Sequence, residues 1–368
     1  MLFLVGAAVL ATILLLHHSG AQIKQQDIQR ATVPPRLDGT HPCVFASLSG
    51  GSTAPALGTC ATPTAHAGST DRVEVDLRYG AFVLRQTDLL LNDVFDAPLT
   101  RSYTSVDWAV QPVPHAFGFN TNHPYDIGPV GTRTPYTYLI LVLEDGDVLY
   151  FPRISEGTGF ANAVYMHTET STRFYKATIA WNGDGWTLRL ADGSEIRFPE
   201  AYNAKNLAQG AANEIRDGAG NKLLLQRDDQ RNLQEIRTPH GHWIHLHYDD
   251  QARIVQAEND SGNSVRYGYY SDGTLEYAID SSGRQRYYQY DGHLMTAVLD
   301  EHSQFLVRNW YIGGILARQQ FAKGDIYAYD FGSSPGKSYF DSVIITLPDH
   351  TQKQVQLTDS VPNILRLH

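Results

Sequence analysis

Gly241-His242-Trp243-Ile244-His245-Leu246-His247-Tyr248-Asp249 is followed, 21 residues on, by Gly262-Asn263-Ser264-Val265-Arg266-Tyr267-Gly268-Tyr269. The same beat places Tyr290 and Tyr311 after Tyr248 and Tyr269, and Gly220, Gly241, Gly262 and Gly283 in a second series. A fixed period shorter than any independent domain marks a unit that cannot bury its own apolar face and must stack on its neighbours. Ile244, Leu246 and Tyr248 alternate with polar residues, as Val265, Tyr267 and Tyr269 do one period later. Period-two alternation predicts a strand with one buried face. Each unit then reads as two strands and two tight turns, and the tyrosines form a ladder along a continuous sheet. Trp243, Tyr270, Tyr287 and Trp310 are expected on the face opposite that ladder, where exposed rings could stack on sugars.

Upstream, Tyr136 to Leu143, Asp145-Gly146 and Val148 to Phe151 form one hairpin pattern. Trp186 to Leu190, Asp192-Gly193 and Glu195 to Phe198 repeat it. Asp-Gly between alternating segments predicts a two-residue turn with both central residues at positive φ. A β-rich module is therefore expected over 73–200, a connector with a helical turn over 201–213, the repeat array over 214–331, and strands or a tail over 332–368.

The first residues are apolar from Leu2 to Leu16, with Ser19 and Ala21 in the small-x-small pattern before Gln22. This predicts a signal peptide over 1–21 and a secreted, periplasmic or cell-surface protein, with membrane contact only through the export signal. Residues 22–72 read as a Pro-rich linker. Cys43 and Cys60 are the only cysteines, and in an exported chain they are expected to pair. Closing that loop is worth about 3 kcal/mol in the chain-entropy model. A net charge of −10 with little lysine excludes the clustered basic surface that nucleic acid rewards.

These repeats resemble the tyrosine-aspartate repeats of the RHS (rearrangement hotspot) and teneurin superfamily. The resemblance rests on Tyr248-Asp249, Tyr290-Asp291 and Tyr329-Asp330, the turn glycines above, and Asp217-Gly218-Ala219-Gly220-Asn221-Lys222-Leu223. Gly80 through Thr87-Asp88-Leu89 to Pro98-Leu99-Thr100-Arg101-Ser102-Tyr103 resembles the module that precedes such repeats. The resemblance spans roughly Val73 to Phe331. It implies an all-β chain whose repeats form a continuous curled sheet, part of a shell. It also implies a structural or adhesive role at the cell envelope, as one piece of a split RHS system, with other RHS-type polypeptides or cell-surface glycans as partners. Five or six repeats are too few to wind a closed shell, so toxin caging is not carried over to this polypeptide alone.

No cofactor and no catalytic residue is expected. His245 and His247, on one strand face, could pinch a zinc or copper ion; a polar outer face explains them as well. Gly332-Ser333-Ser334-Pro335-Gly336 satisfies the nucleophile-elbow spelling but is followed by a β-branched run where that motif needs a helix. Glu144, Asp145, Asp228 and Asp249 are carboxylates in turns, where they accept backbone amides. The rival from another class is a carbohydrate-active β-propeller, in which two repeats would make one four-stranded blade.

Overall fold

The computed structural model describes residues 42–44, 57–59, 72–106, 114–146, 148–169, 172–201, 204, 207–335, 339–357 and 364–367. The expected signal peptide and Cys60, and with Cys60 the expected disulfide, lie outside them. Within the stretch expected to be a linker, Pro42–Val44 pairs antiparallel with Leu57–Thr59, setting Cys43 opposite Gly58.

The chain is all-β. Its dominant element is one antiparallel sheet of 18 strands, running from Val164–Met166 to Gln352–Gln356, in which each strand's neighbour in the sheet is its neighbour in the chain. Its first and last strands do not pair with each other, so the sheet does not close. A propeller would divide into separate four-stranded blades; this continuous pairing overturns that alternative.

The sheet also ignores the expected boundary at the connector. Glu195–Pro199 pairs directly with Glu214–Arg216, and the connector, with its 3-10 turn at Leu207–Gly210, loops out between them. Past Phe331 the sheet gains Ser342–Thr346 and Gln352–Gln356. Here Val343 and Ile345 supply the buried positions, although the tyrosine signature has ended.

Burial follows the alternation. Leu223, Leu225, Ile236, Ile244, Leu246, Val265 and Tyr267 all face one side and are buried. Each aliphatic side chain removed from water contributes roughly 1.5–3 kcal/mol, which fixes the register against a one-residue slip.

The turns differ from the expected two-residue form. Gly146 (φ 83°) and Gly193 (φ 84°) lie in the left-handed region, but Asp145 and Asp192 do not. Gly193 N–H donates to Leu190 O and Leu190 N–H to Ser194 O, the three-residue turn with a glycine bulge. The repeat turns use the same device. Gly262 N–H donates to Asn259 O and Gly283 N–H to Asp280 O. The aspartate matters as an acceptor: Asp280 Oδ1 takes the amides of Ser282 and Arg284, both at 3.0 Å.

A five-stranded sheet packs on the apolar face of the large one. Its order is Ile364–Leu367, Arg72–Asp76, Ala81–Leu91, Ala97–Thr104 and Thr121–Asn122. Strand Ala81–Leu91 crosses the repeats. Gly80 O accepts Leu316 N–H at 2.8 Å, Asp88 accepts Tyr267 Oη, and Asp93 accepts His240 N–H. The returning chain adds Ala116 O to Ile254 N–H, Gly273 O to Phe119 N–H, and Ile127 O to Ala212 N–H. Residues 78–106 and 114–127 thereby cover the face that the repeats would otherwise expose. Gly118 shows how close the approach is: a Cβ there would sit 2.3 Å from Gly273 O.

Candidate functional site

The ladder is the first element of the site. In each hairpin the register shifts just before the ladder tyrosine, at His247/Tyr248, Gly268/Tyr269, Gln289/Tyr290 and Trp310/Tyr311. Tyr248 then lies opposite Ile254, Tyr269 opposite Leu275, Tyr290 opposite Met295 and Tyr311 opposite Leu316. A β-bulge interrupts pairing locally and re-aims the side chain beside it. Three of the four phenols reach back to the preceding hairpin. Tyr248 Oη donates to Leu233 O at 2.8 Å, Tyr269 Oη to Ile254 O at 2.5 Å, and Tyr311 Oη to Met295 O at 2.8 Å. These acceptors sit at the bulge-opposed position of the previous unit. Tyr290 Oη is buried without a partner. Burial pushes the hydroxyls of Tyr248, Tyr290 and Tyr311 well above the usual phenol range, so they remain donors.

The second element is a buried polar cluster where the five-stranded sheet meets the array. The Arg101 guanidinium holds both Asp88 oxygens, at 2.5 and 2.9 Å, and donates to Tyr288 Oη at 3.1 Å. Tyr267 Oη donates to Asp88 Oδ2 at 2.7 Å, and Tyr288 Oη to Gln86 Oε1 at 2.5 Å. Burial works against the Arg101 charge, but Asp88, followed by the two phenols, outweighs it and raises the pKa. Fully paired, the cluster orients the two sheets; broken on one side, it leaves an uncompensated charge in the interior. A shallow polar cleft opens beside it, lined by Thr87, Asp280, Arg284 and Arg286. Composition and period could not reveal this cluster. The available signal was a tyrosine hydroxyl at an inward position, which needs an acceptor when buried.

The four imidazoles each meet a different carboxylate. His240 Nδ1 lies 2.6 Å from Asp93, His242 Nδ1 2.6 Å from Asp260, His245 Nε2 2.7 Å from Glu235, and His247 Nε2 3.2 Å from Glu258. Among the described residues no group of three or more His, Cys, Asp or Glu is arranged to hold a metal ion. His245 and His247 each hydrogen-bond a carboxylate of a neighbouring strand. There burial opposes the Glu235 charge, but Arg237 and His245 outweigh it and draw that carboxyl below its usual range.

The aromatic candidates do not form one platform. Trp243 stacks on His245 with ring centroids 3.9 Å apart. Tyr287 faces Tyr277, whose ring covers Gly268. Trp310 carries Arg318 at 4.9 Å over its ring. Trp243 and Trp310 stand on strands six apart in the sheet, roughly 29 Å at the usual strand spacing. Tyr270 is exposed; its ring packs edge-on against Tyr290 and its hydroxyl donates to Tyr288 O.

The serine motif joins strand Ile326–Gly332 to strand Ser342–Thr346, so a strand stands where an elbow requires a helix. Ser334 N–H donates to Asp341. Glu144 and Asp145 both bind Arg85, each at 3.2 Å, and Asp228 and Asp249 accept turn amides.

No protein-family model matches the chain, and no curated protein does. Among solved structures it is similar to a chain of the crystal structure of TcdB2-TccC3-Cdc42, at 9% identity over 77% of this chain and 19% of that one, with a TM-score of 0.29. A chain of the crystal structure of TcdB2-TccC3 matches at 10% identity over 79% and 17%, with a TM-score of 0.28. The chain spans less than a fifth of the length of those it matches. A likeness of this degree carries no argument, and the fold stands on the strand pairing itself.

Proposed function

We propose that this chain is an exported, non-enzymatic wall segment of RHS type, which acts at the cell envelope by holding a rigid sheet in register with other protein chains. The observation that supports this is the seating of residues 78–106 and 114–127 on the apolar face of the array, through Arg101–Tyr288, Gly80–Leu316 and Asp126–Arg227. A wall lined this way is a finished structural surface. Several of its charged side chains pair with each other: Arg85 with Glu144 and Asp145, and Arg101 with Asp88. The partner is expected to be a second repeat-bearing polypeptide, as in a split system.

Co-expression with the products of adjacent reading frames, followed by size-exclusion chromatography and a glycan-hydrolysis and glycan-binding screen, tests this reading. Support is a stoichiometric complex with a second repeat polypeptide and no glycan signal. A chain that elutes alone and binds or cleaves a glycan, with the signal lost in Trp243→Ala, overturns it.

A further inference from the structure

Residues 114–127 carry the last contacts of the covering module, and a histidine is sealed inside them. His123 is wholly buried, and neither of its ring nitrogens has a hydrogen-bond partner on the protein. Its ring is boxed by Phe117 at 6.2 Å and Tyr125 at 5.9 Å, and Phe117 in turn packs edge-on against Tyr267 of the array at 5.0 Å. The nearest carboxylate oxygen is Asp126 Oδ2, 3.8 Å from His123 Nε2.

That carboxylate is already engaged. Arg227, on strand Lys222–Arg227 of the large sheet, donates to Asp126 Oδ1 and to Tyr125 O, both at 2.8 Å. The same guanidinium donates to Ala212 O at 2.9 Å and Arg231 O at 3.0 Å. On its own segment His123 also faces His115, whose Nδ1 lies 3.5 Å from Asn122 Nδ2. Tyr248 of the array senses the same Asp126 and Arg227 charges. The groups around the ring are therefore one carboxylate, one guanidinium, a second imidazole and two phenols. The carboxylate is shared with the guanidinium, so a second cation has no counter-charge of its own. Arg227 equally argues against a metal ion at this place.

We infer that His123 is a proton-sensitive latch: taking up a proton at its ring loosens residues 114–127 from the inner face of the sheet. In the closed state burial works against the charged ring and pushes both His123 and His115 below the usual histidine range; Asp126 opposes this and Arg227 adds to it for His123. In the opened state the ring is hydrated and titrates near ~6.5. The open form therefore binds more protons in the window below about 6.5, and falling pH favours it. Latch strength is fully present above that window and declines through it. Asp126 pulls in the same direction, but its carboxyl is held below the usual range, so its window lies under about pH 4. From pH 7.5 to 5.5 each such histidine raises the open population by up to about tenfold.

Hydrogen exchange of the full chain, corrected for intrinsic amide rates, reads this directly. The reporters are the amides of Ala212 and Ile254, which donate to Ile127 O and Ala116 O. The expected result is a loss of protection at these two amides between pH 7.5 and 5.5, up to about tenfold for each histidine released, with Val343 unaffected. His123→Phe, which fills the same space without a titrating nitrogen, should shrink the loss to the part that His115 contributes; the exposed-turn control His302→Gln should leave it unchanged. Unchanged wild-type protection, or an equal loss at Val343, would overturn the latch. So would an equal loss in His123→Phe. If that variant does not fold, the wild-type profile at the three amides decides alone.

Discussion

Tyr269 Oη donates to the backbone carbonyl of Ile254 at 2.5 Å, tying one hairpin to the bulge of the hairpin before it. The 21-residue period therefore has a physical cause beyond apolar stacking. Each of these hairpins opens a bulge, and the phenols of Tyr248, Tyr269 and Tyr311 reach the carbonyl opposite the bulge of the hairpin before. Replacing Tyr269 by Phe keeps the ring and removes only the donor. The expected loss is about 1–2 kcal/mol, the range for an unmade buried hydrogen bond, read as a lower midpoint in urea with unchanged slope.

Tyr290 is the internal contrast. Its hydroxyl is buried without an acceptor, so Tyr290→Phe removes a desolvated group that makes no bond. Stability is expected to stay within about 0.5 kcal/mol of wild type or to rise. A thermal melt of the two variants side by side checks the assignment, and a loss at Tyr290 as large as at Tyr269 would count against it.

Gly118 is required twice over, by φ of 84° and by the 2.3 Å that separates a built Cβ from Gly273 O. Gly118→Ala is expected to cost about 1–3 kcal/mol. The loss should appear as faster exchange at Phe119, whose amide donates to Gly273 O.

Acid should weaken the turns. The carboxyls of Asp217, Asp249 and Asp280 sit below their ordinary range because turn amides and side-chain donors outweigh the opposing effect of burial; in Asp217 the leading cause is the Asn221 amide. A depressed folded-state pKa gives stability that is present above the unfolded value, near 3.9, and is lost as pH falls through the folded one. The melting temperature is expected to hold from pH 5 to about 4 in this respect and to drop below it. Asp280→Asn, which keeps an acceptor without the charge, should blunt that drop.

Much of this architecture is legible in the sequence because periodicity reports burial. Ile244, Leu246 and Tyr248 name the buried face, and Gly262 and Gly283 name the turns. The hidden part depends on contacts between distant segments. Nothing local in Arg101-Ser102-Tyr103 says that Arg101 meets Tyr288 or that Tyr103 Oη donates to His293 O. Nor does anything local say that the Tyr270 hydroxyl donates to Tyr288 O. The tyrosine signature stops at Phe331 while the sheet runs on, because Val343 and Ile345 fill ladder positions without tyrosines. The Asp-Gly dipeptide predicts the wrong turn type because it fixes the glycine's φ but not the length of the loop around it.

The most direct test of the central claim, that the N-terminal strands seat on the inner face of the repeats, is a double-mutant cycle between Arg101 and Tyr288. Arg101→Met, Tyr288→Phe and the double variant are compared in equilibrium unfolding. The account predicts a coupling of about 0.5–3 kcal/mol between residues 187 apart in sequence. Additivity within about 0.3–0.5 kcal/mol would contradict it.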